Sequence, residues 1–462
     1  MVRTRIAPSP TGYPHIGTIY QALFNFAFAQ KHKGKFLIRI EDTDRARFVE
    51  GAEEVIFKAI DWFGLTEDES ARKGGEHGPY RQSERLELYQ KYAQELVDKD
   101  LAYFAFYAKT DAGQKKDYTQ KATEQKQETT EAPPRTISEM VERGDWILRM
   151  RVPKDKETVV HDEIRGDIVF GSDQVTEQVL IKSDGFPTYH LAAVVDDHEM
   201  GVTHVVRGEE WISSAPKHVL LYRYFGWEMP LLYHTPLLRN PDKSKLSKRH
   251  GHTDVTWYRE EGYLPEAILN FLAMMGWTHP EEKEIFSLEE FISLFDLKDM
   301  RQVGPIFDLI KLTWMNGEYI RKMDLETLIK VLKDFYNASE QTLDSIDEKK
   351  LSQIVAIAQT RISTLKEFYP LISHFLPDAQ FHVNTEDERK IAQSLLEDFS
   401  KITEWNKDTV LEVLRVVLKT HSIRMPVLYT IITGQERGLP LPESLEILGK
   451  DTVLSRLNKA LL

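Results

Sequence analysis

A chain of 462 residues with 41% hydrophobic and 29% charged side chains carries apolar material for about three cores rather than one. It contains no cysteine, which excludes disulfides, thiolate metal sites and a cysteine nucleophile. The formal charge of −13 argues against coating nucleic acid by bulk attraction, although a local basic track still acts within a Debye length of about 8 Å.

No run approaches the ~18 uninterrupted apolar residues of a membrane span, so no membrane association is expected. Met1 to Ile6 lead straight into a motif, so no cleavable signal peptide is expected and a cytoplasmic location fits.

In chain order, Val2–Ile6 alternates and predicts a strand. A loop rich in Pro, Ser, Thr and Gly (Ala7–Pro14) follows. Ile16, Ile19, Tyr20, Leu23 and Ala27 then recur at helical spacing, which predicts a helix over 17–32. Lys35–Ile40 reads as a second strand, and strand–loop–helix–strand at this spacing makes the two strands parallel neighbours. Helices are predicted near Ala52–Phe63 and Ser83–Lys99. Ala108–Arg135 is polar and almost free of large apolar groups, the texture of a surface excursion. Trp146–Val152 and Ile168–Ile181 read as strands of an inserted module. Tyr189–Val195, Val202–Val206 and Leu231–Leu238 read as further strands, with a helix at Ala215–Phe225 that carries Pro216 in its first turn. Beyond residue 260 nearly everything reads helical. Ser287 with Glu290, and Thr385 with Glu388, open helices, and Leu325, Leu328, Ile329 and Leu332 form a stripe.

Two segments carry chemistry. Ala7–Thr18 (APSPTGYPHIGT) joins a strand to a helix N-terminus, where unpaired N–H groups and the dipole favour phosphate. Ser9, Thr11 and Thr18 supply hydroxyls, His15 can donate a proton to a phosphoryl oxygen, and Gly17 lets a nucleotide lie against the backbone. An ordinary turn with a surface histidine fits this loop equally well when it is taken alone. The second segment, Leu237–Gly251, places Lys243, Lys245, Lys248 and Arg249 within seven residues. It offers ammonium groups where a phosphoanhydride breaks; taken alone it reads as a solvated charge run. No Walker loop, Gly-x-Gly-x-x-Gly, Gly-x-Ser-x-Gly or His-Glu-x-x-His competes.

The pair resembles the HIGH and KMSKS signatures of class I aminoacyl-tRNA synthetases, as His15-Ile16-Gly17-Thr18 and Lys245-Leu246-Ser247-Lys248-Arg249. Arg39–Arg45, Gly78–Arg85, Lys182–Tyr189, Val195–His198 and Val206–Trp211 extend the resemblance to the bacterial-type glutamyl-tRNA synthetases. Matches run colinearly over residues 3–320, and Trp314–Gly317 and Thr433-Gly434 add looser ones. The resemblance implies a Rossmann-type parallel sheet with an inserted α/β acceptor-binding module, a stem-contact region and a helical anticodon-binding domain. Expected boundaries are 1–105 with 186–240 for the catalytic domain, 106–185 for the insert, 241–322 for the stem-contact region and 323–462 for the anticodon end.

A glutamate substrate bears two carboxylates and one ammonium, so its pocket needs two cations, an anion and a dry wall. Arg5 and Arg207, at strand ends on the C-terminal edge of the sheet, suit bidentate carboxylate binding. Glu41, at the end of the second strand, suits the ammonium, and Tyr189 and Trp211 can shape the pocket. The resemblance places Arg5, Ser9, Glu41, Tyr189, Arg207 and Trp211 around glutamate. It places Ala7, Ser9, Thr11, His15, Gly17, Glu210, Leu238 and Lys248 around ATP, with Mg²⁺ held mainly by the phosphates. His15, Thr18, Lys245 and Lys248 are the expected catalytic groups, and Arg47, Arg165 and Arg361 the expected tRNA contacts. The implied partners are L-glutamate, ATP and tRNA(Glu), and a monomer is expected.

The sequence departs from the family in three places. No Asn occurs within His190–Ala193, which leaves an amide contact missing or replaced by His190. The cysteine ligands of zinc-bearing members are absent from Tyr103–Lys109, so no zinc is expected. Thr176–Val179 lacks the usual acidic pair.

Alternatives weighed are a glutaminyl-tRNA synthetase, a tRNA-modifying glutamyl transferase, a small-molecule nucleotidyltransferase and a catalytically silent tRNA-binding paralogue. The helical C-terminal third disfavours the first two. Lys248→Ala is expected to lower adenylate formation far more than it weakens glutamate binding; equal losses in both assays would remove Lys248 from catalysis.

Overall fold

The computed structural model of the chain describes residues 1–106, 136–143, 146–244, 246, 253–337 and 341–462. Its internal contacts separate Met1–Trp257 with Leu269–Asp308 from Tyr258–Ile268 with Leu309–Leu462.

In the first unit β1 (Arg3–Ile6), α1 (Ile16–Lys31) and β2 (Lys35–Ile38) form the expected unit, with β1 and β2 parallel from Arg3↔Lys35 to Ile6↔Ile38. After α2 (Ala52–Trp62), β3 (Glu69–Ser70) adds parallel to β2. A 3-10 turn at Gln82–Arg85 leads into α3 (Leu86–Asp98). Then come β4 (Ala102–Phe106), α4 (Ile137–Arg143), β5 (Trp146–Met150), β6 (Thr158–Asp162), β7 (Gly166–Phe170) and β8 (Val179–Ile181). α5 (Tyr189–Glu199), β9 (His204–Gly208), α6 (Ala215–Phe225) and β10 (Leu231–Thr235) follow. β4, β5 and β8 make a small antiparallel sheet whose apolar face packs with α3, α5 and α6.

A second sheet runs β7-β6-β10-β9, with β6, β10 and β9 parallel. It meets β1 edge to edge: the Thr203 N–H donates to Arg3 O at 3.0 Å, and Arg3 N–H to Thr203 Oγ1 at 2.9 Å. α1 lies across this seam. Gln21 Nε2 donates to Thr235 Oγ1 (2.7 Å), Asn25 Nδ2 to Val206 O (3.2 Å), and Thr4 Oγ1 to Asn25 O (2.8 Å). The C-terminal ends of β1 and β9 therefore open side by side onto the N-terminus of α1, the crevice such sheets use for ligands.

Tyr189–Val195 corrects a sequence expectation: it is helix, not strand. Leu191 to Asp197 are all buried, so the segment lacks the polar face that would have exposed a helical period. The strand expected across 168–181 is two strands interrupted by a turn, and Glu41 lies beyond β2 rather than ending it. The hairpin β6–β7, on the insert side of the boundary drawn at residue 186, pairs with β10 at Leu232↔Asp162. The polar stretch 108–135 lies outside the described residues.

The tight α1–β2 connection depends on Gly34. A Cβ there would stand 2.3 Å from Val2 O, the carbonyl that accepts the Lys35 N–H at 2.9 Å. Gly34→Ala is expected to cost about 1–3 kcal/mol. It should lower the thermal midpoint of the first unit; an unchanged midpoint would contradict the close approach.

The second unit is helical from Leu309–Lys322 to Lys450–Leu461, around two apolar clusters. Ser287 in the first unit and Thr385 in the second both cap helices as expected, the latter with Glu388 in a reciprocal box.

Candidate active site

A cavity of about 350 Å³ opens at the α1 N-terminus and is lined by residues of the first unit, among them Arg5, His15, Glu41, Tyr189, Arg207 and Glu210. Ala7, Gly17, Thr18, Trp211 and Leu238 complete much of its wall. Ser9 and Thr11 line a smaller neighbouring hollow that shares His15 and Thr18. The expected ATP-side and glutamate-side residues thus converge, with Lys245 and Lys248 lying outside the described residues.

At the phosphate end, His15 caps α1: its Nδ1 accepts the Gly17 N–H at 2.9 Å. In the neutral ring the proton is therefore on Nε2. Gly208 has a separate role, since a Cβ there would stand 1.9 Å from Glu210 Oε2. Glycine lets the Glu210 carboxylate fold back over the end of β9.

The two arginines that line the pocket, Arg5 and Arg207, and Arg39 buried behind them are not equivalent. Arg5 Nε and Nη2 both donate to Asp197, at 3.0 Å each. Arg39 donates to Asp197 (2.7 Å) and Glu41 (3.2 Å) and lies 3.5 Å from Asp196. Burial alone would raise Asp197, yet Arg5 and Arg39 hold it at about 2. Glu41 moves the other way: burial raises it above the usual carboxylate range despite Arg39 and Arg5. An added ammonium would favour its ionised form. Arg5, expected around glutamate, lines the cavity with two of its nitrogens engaged by Asp197.

Arg207 meets only neutral acceptors among the described residues. Its Nε donates to His234 Nε2 (3.0 Å), and its Nη1 to Tyr189 Oη (3.0 Å) and His218 Nδ1 (3.3 Å). Its Nη2 is buried with no hydrogen-bond partner among the described residues. The Tyr189 ring lies against Trp211 at 4.3 Å between centroids and forms the apolar wall, although Trp211 itself is exposed.

Sequence reasoning missed Asp162, Asp197, His218 and His234. Asp197 stood inside a matched stretch without an assigned role; nothing local marks the others, because the β6–β10 pairing brings Asp162 to His234. His190, a candidate replacement for the missing Asn, meets His218 at 3.3 Å instead.

The expected tRNA contacts divide. Arg165 Nη2 donates to Glu209 (2.6 Å) and to Gln302 O (3.2 Å). Arg47 is exposed beside Asp44, and Arg361 is exposed in the second unit.

Two family models match the chain: tRNA synthetases class I (E and Q), catalytic domain, over residues 1–314, and an anticodon binding domain over 326–461. The glutamate–tRNA ligase of Thermus thermophilus is 46% identical over 478 residues, covering 100% of both chains. That of Pseudomonas syringae pv. syringae is 42% identical over 477 residues, covering 100% of this chain and 95% of the relative. A crystal structure of a glutamate tRNA ligase from Elizabethkingia meningosepticum, in complex with its amino acid, superposes with a TM-score of 0.82 at 33% identity. That match covers 100% of this chain and 99% of the other.

Proposed function

The chain belongs to the class I tRNA synthetases of the E and Q branch, and from that premise we propose how its pocket carries out glutamate–tRNA ligation. The observation that carries the reading is Arg207 Nη2, a buried, charged guanidinium nitrogen in the pocket wall without a hydrogen-bond partner among the described residues. A buried donor left unpaired costs about 1–3 kcal/mol, and a substrate carboxylate relieves it. Arg207 takes the side-chain carboxylate, Glu41 the ammonium, and Tyr189 with Trp211 the methylenes.

ATP lies along Ala7, Ser9, Thr11, Gly17 and Leu238, with Glu210 toward the ribose. The glutamate α-carboxylate attacks the α-phosphorus in line and pyrophosphate leaves. The His15 Nε2–H, Thr18 and the N-terminus of the 16-residue α1 stabilise the charge that develops on phosphate. Lys245 and Lys248 are assigned the opposite face of the triphosphate. The 2′-hydroxyl at the tRNA 3′ end then attacks the adenylate carbonyl and AMP leaves. Among the described residues no group of three His, Asp or Glu side chains forms a metal cage. Mg²⁺ carried by the ATP phosphates would shield their charge.

The partners are ATP, L-glutamate and tRNA(Glu), the last read at its anticodon by residues 326–461, with Arg361 and Arg47 as contacts. We place the enzyme in the cytoplasm as a monomer without zinc; no described helix is long and apolar enough to cross a membrane.

Pyrophosphate exchange with purified tRNA(Glu) and tRNA(Gln) transcripts tests this reading. Exchange that depends on glutamate is expected, and exchange with glutamine alone would favour the glutaminyl alternative. No exchange with either would favour a silent paralogue. Charging both transcripts with glutamate measures the breadth of tRNA choice.

A further inference from the structure

We infer that His218 and His234 are positioning residues that hold Arg207 without neutralising it, and so make the pocket prefer an anionic side chain to an amide. The inference rests on reading this pocket as a glutamate site.

A guanidinium has five N–H donors and no acceptor. Three of the Arg207 donors are engaged: Nε by His234, and both Nη1 hydrogens by Tyr189 and His218. Every one of these acceptors is uncharged, which fixes the proton positions. His234 Nε2 must be a lone pair, so its proton is on Nδ1 and is donated to Asp162 Oδ2 at 2.7 Å. His218 Nδ1 must likewise be a lone pair, so its Nε2–H points to His190 Nδ1 at 3.3 Å.

Asp162 anchors the arrangement. Its carboxylate also accepts the backbone N–H groups of His234 (3.0 Å), Ile164 (3.1 Å) and Arg165 (2.9 Å). The anion reaches Arg207 only through an imidazole. Burial, the largest cause, together with the Arg207 charge keeps His218 well below its usual range, and burial lowers His234 too. Neither ring therefore competes as a cation.

The neighbouring arginines show the contrast. Arg5 and Arg39 are locked by carboxylates, bidentately on Asp197 in the first case. Arg207 is locked as firmly, but its charge is left for the ligand. A carboxylate in place of either imidazole would give the same fixed geometry and lose the preference.

The test is tRNA(Glu)-supplemented pyrophosphate exchange with the full chain, titrating glutamate, glutamine and ATP. His218→Leu is expected to raise KM for glutamate at least about tenfold with kcat and KM for ATP within about threefold. His218→Asn puts an amide oxygen where Nδ1 stands, and should restore KM to within about threefold of wild type. His218→Glu should lower the glutamate-to-glutamine ratio of kcat/KM by at least about a hundredfold.

Equal losses in the Leu and Asn variants, or an unchanged ratio in His218→Glu, would overturn the inference. If His218→Leu does not fold, His234→Gln against His234→Leu makes the same comparison, since a glutamine oxygen replaces Nε2. Wild-type exchange that ignores glutamate overturns the pocket reading itself. Normal wild-type exchange with a silent His218→Leu overturns this inference alone.

Discussion

Arg207→Leu is expected to lower kcat/KM for glutamate by about 10²–10⁴, because two charge-assisted hydrogen bonds at about 1.5–3 kcal/mol each are lost. The two donors are those of Nη2, which have no hydrogen-bond partner among the described residues. Most of the loss should appear in KM, since the contact exists before and during adenylate formation. The fold should tolerate the change comparatively well. Arg207 leaves behind a phenol and two imidazoles, whereas removing Arg5 or Arg39 strands a buried carboxylate. Steady-state exchange and a melting curve on the same preparation check both halves. A loss under about tenfold with normal melting would move the side-chain carboxylate to another residue.

Asp197→Ala should act in the opposite manner, on stability first. It leaves the guanidiniums of Arg5 and Arg39 buried with one carboxylate fewer, and unpairing buried charge costs about 3–5 kcal/mol. The same pairing predicts an acid dependence. Asp197 is held at about 2 in the folded state, below the unfolded value of about 3.9. Its contribution is therefore complete above pH ~4 and is lost as pH falls toward ~2. Thermal melts of wild type and Asp197→Ala should converge over that window. A difference that stayed constant down to the lowest pH would mean the Asp197 charge is not what stabilises the fold.

Legibility in the sequence followed distance along the chain. β1, α1 and β2 were readable because a loop, a helical period and an apolar strand occur in succession. Arg5, Glu41 and Arg207 could be nominated because a dicarboxylate ammonium ligand demands those residue types. The partners of those residues could not. Asp197 neutralises Arg5 from a helix that reads as a strand, since burial on all sides erased its period. Asp162 and His234 meet only because β6 joins β10 in parallel, a pairing that no local pattern in 158–170 announces. Arg165, expected as a tRNA contact, likewise has a partner, Glu209, that no local pattern announces.

α5 has one further consequence. Its first turn bears Tyr189 and His190, while Asp196 near its other end receives Arg85 Nε (2.7 Å), Gln82 Nε2 (2.8 Å) and the Tyr89 hydroxyl (2.8 Å). A rod pinned so heavily at its far end has little freedom to swing when ligand arrives. In hydrogen–deuterium exchange its amides should therefore be among the last of the first unit to label, with or without substrate. Labelling that changes on glutamate binding should appear instead in the short 3-10 segment Glu209–Ser214, where Trp211 stands exposed at the rim.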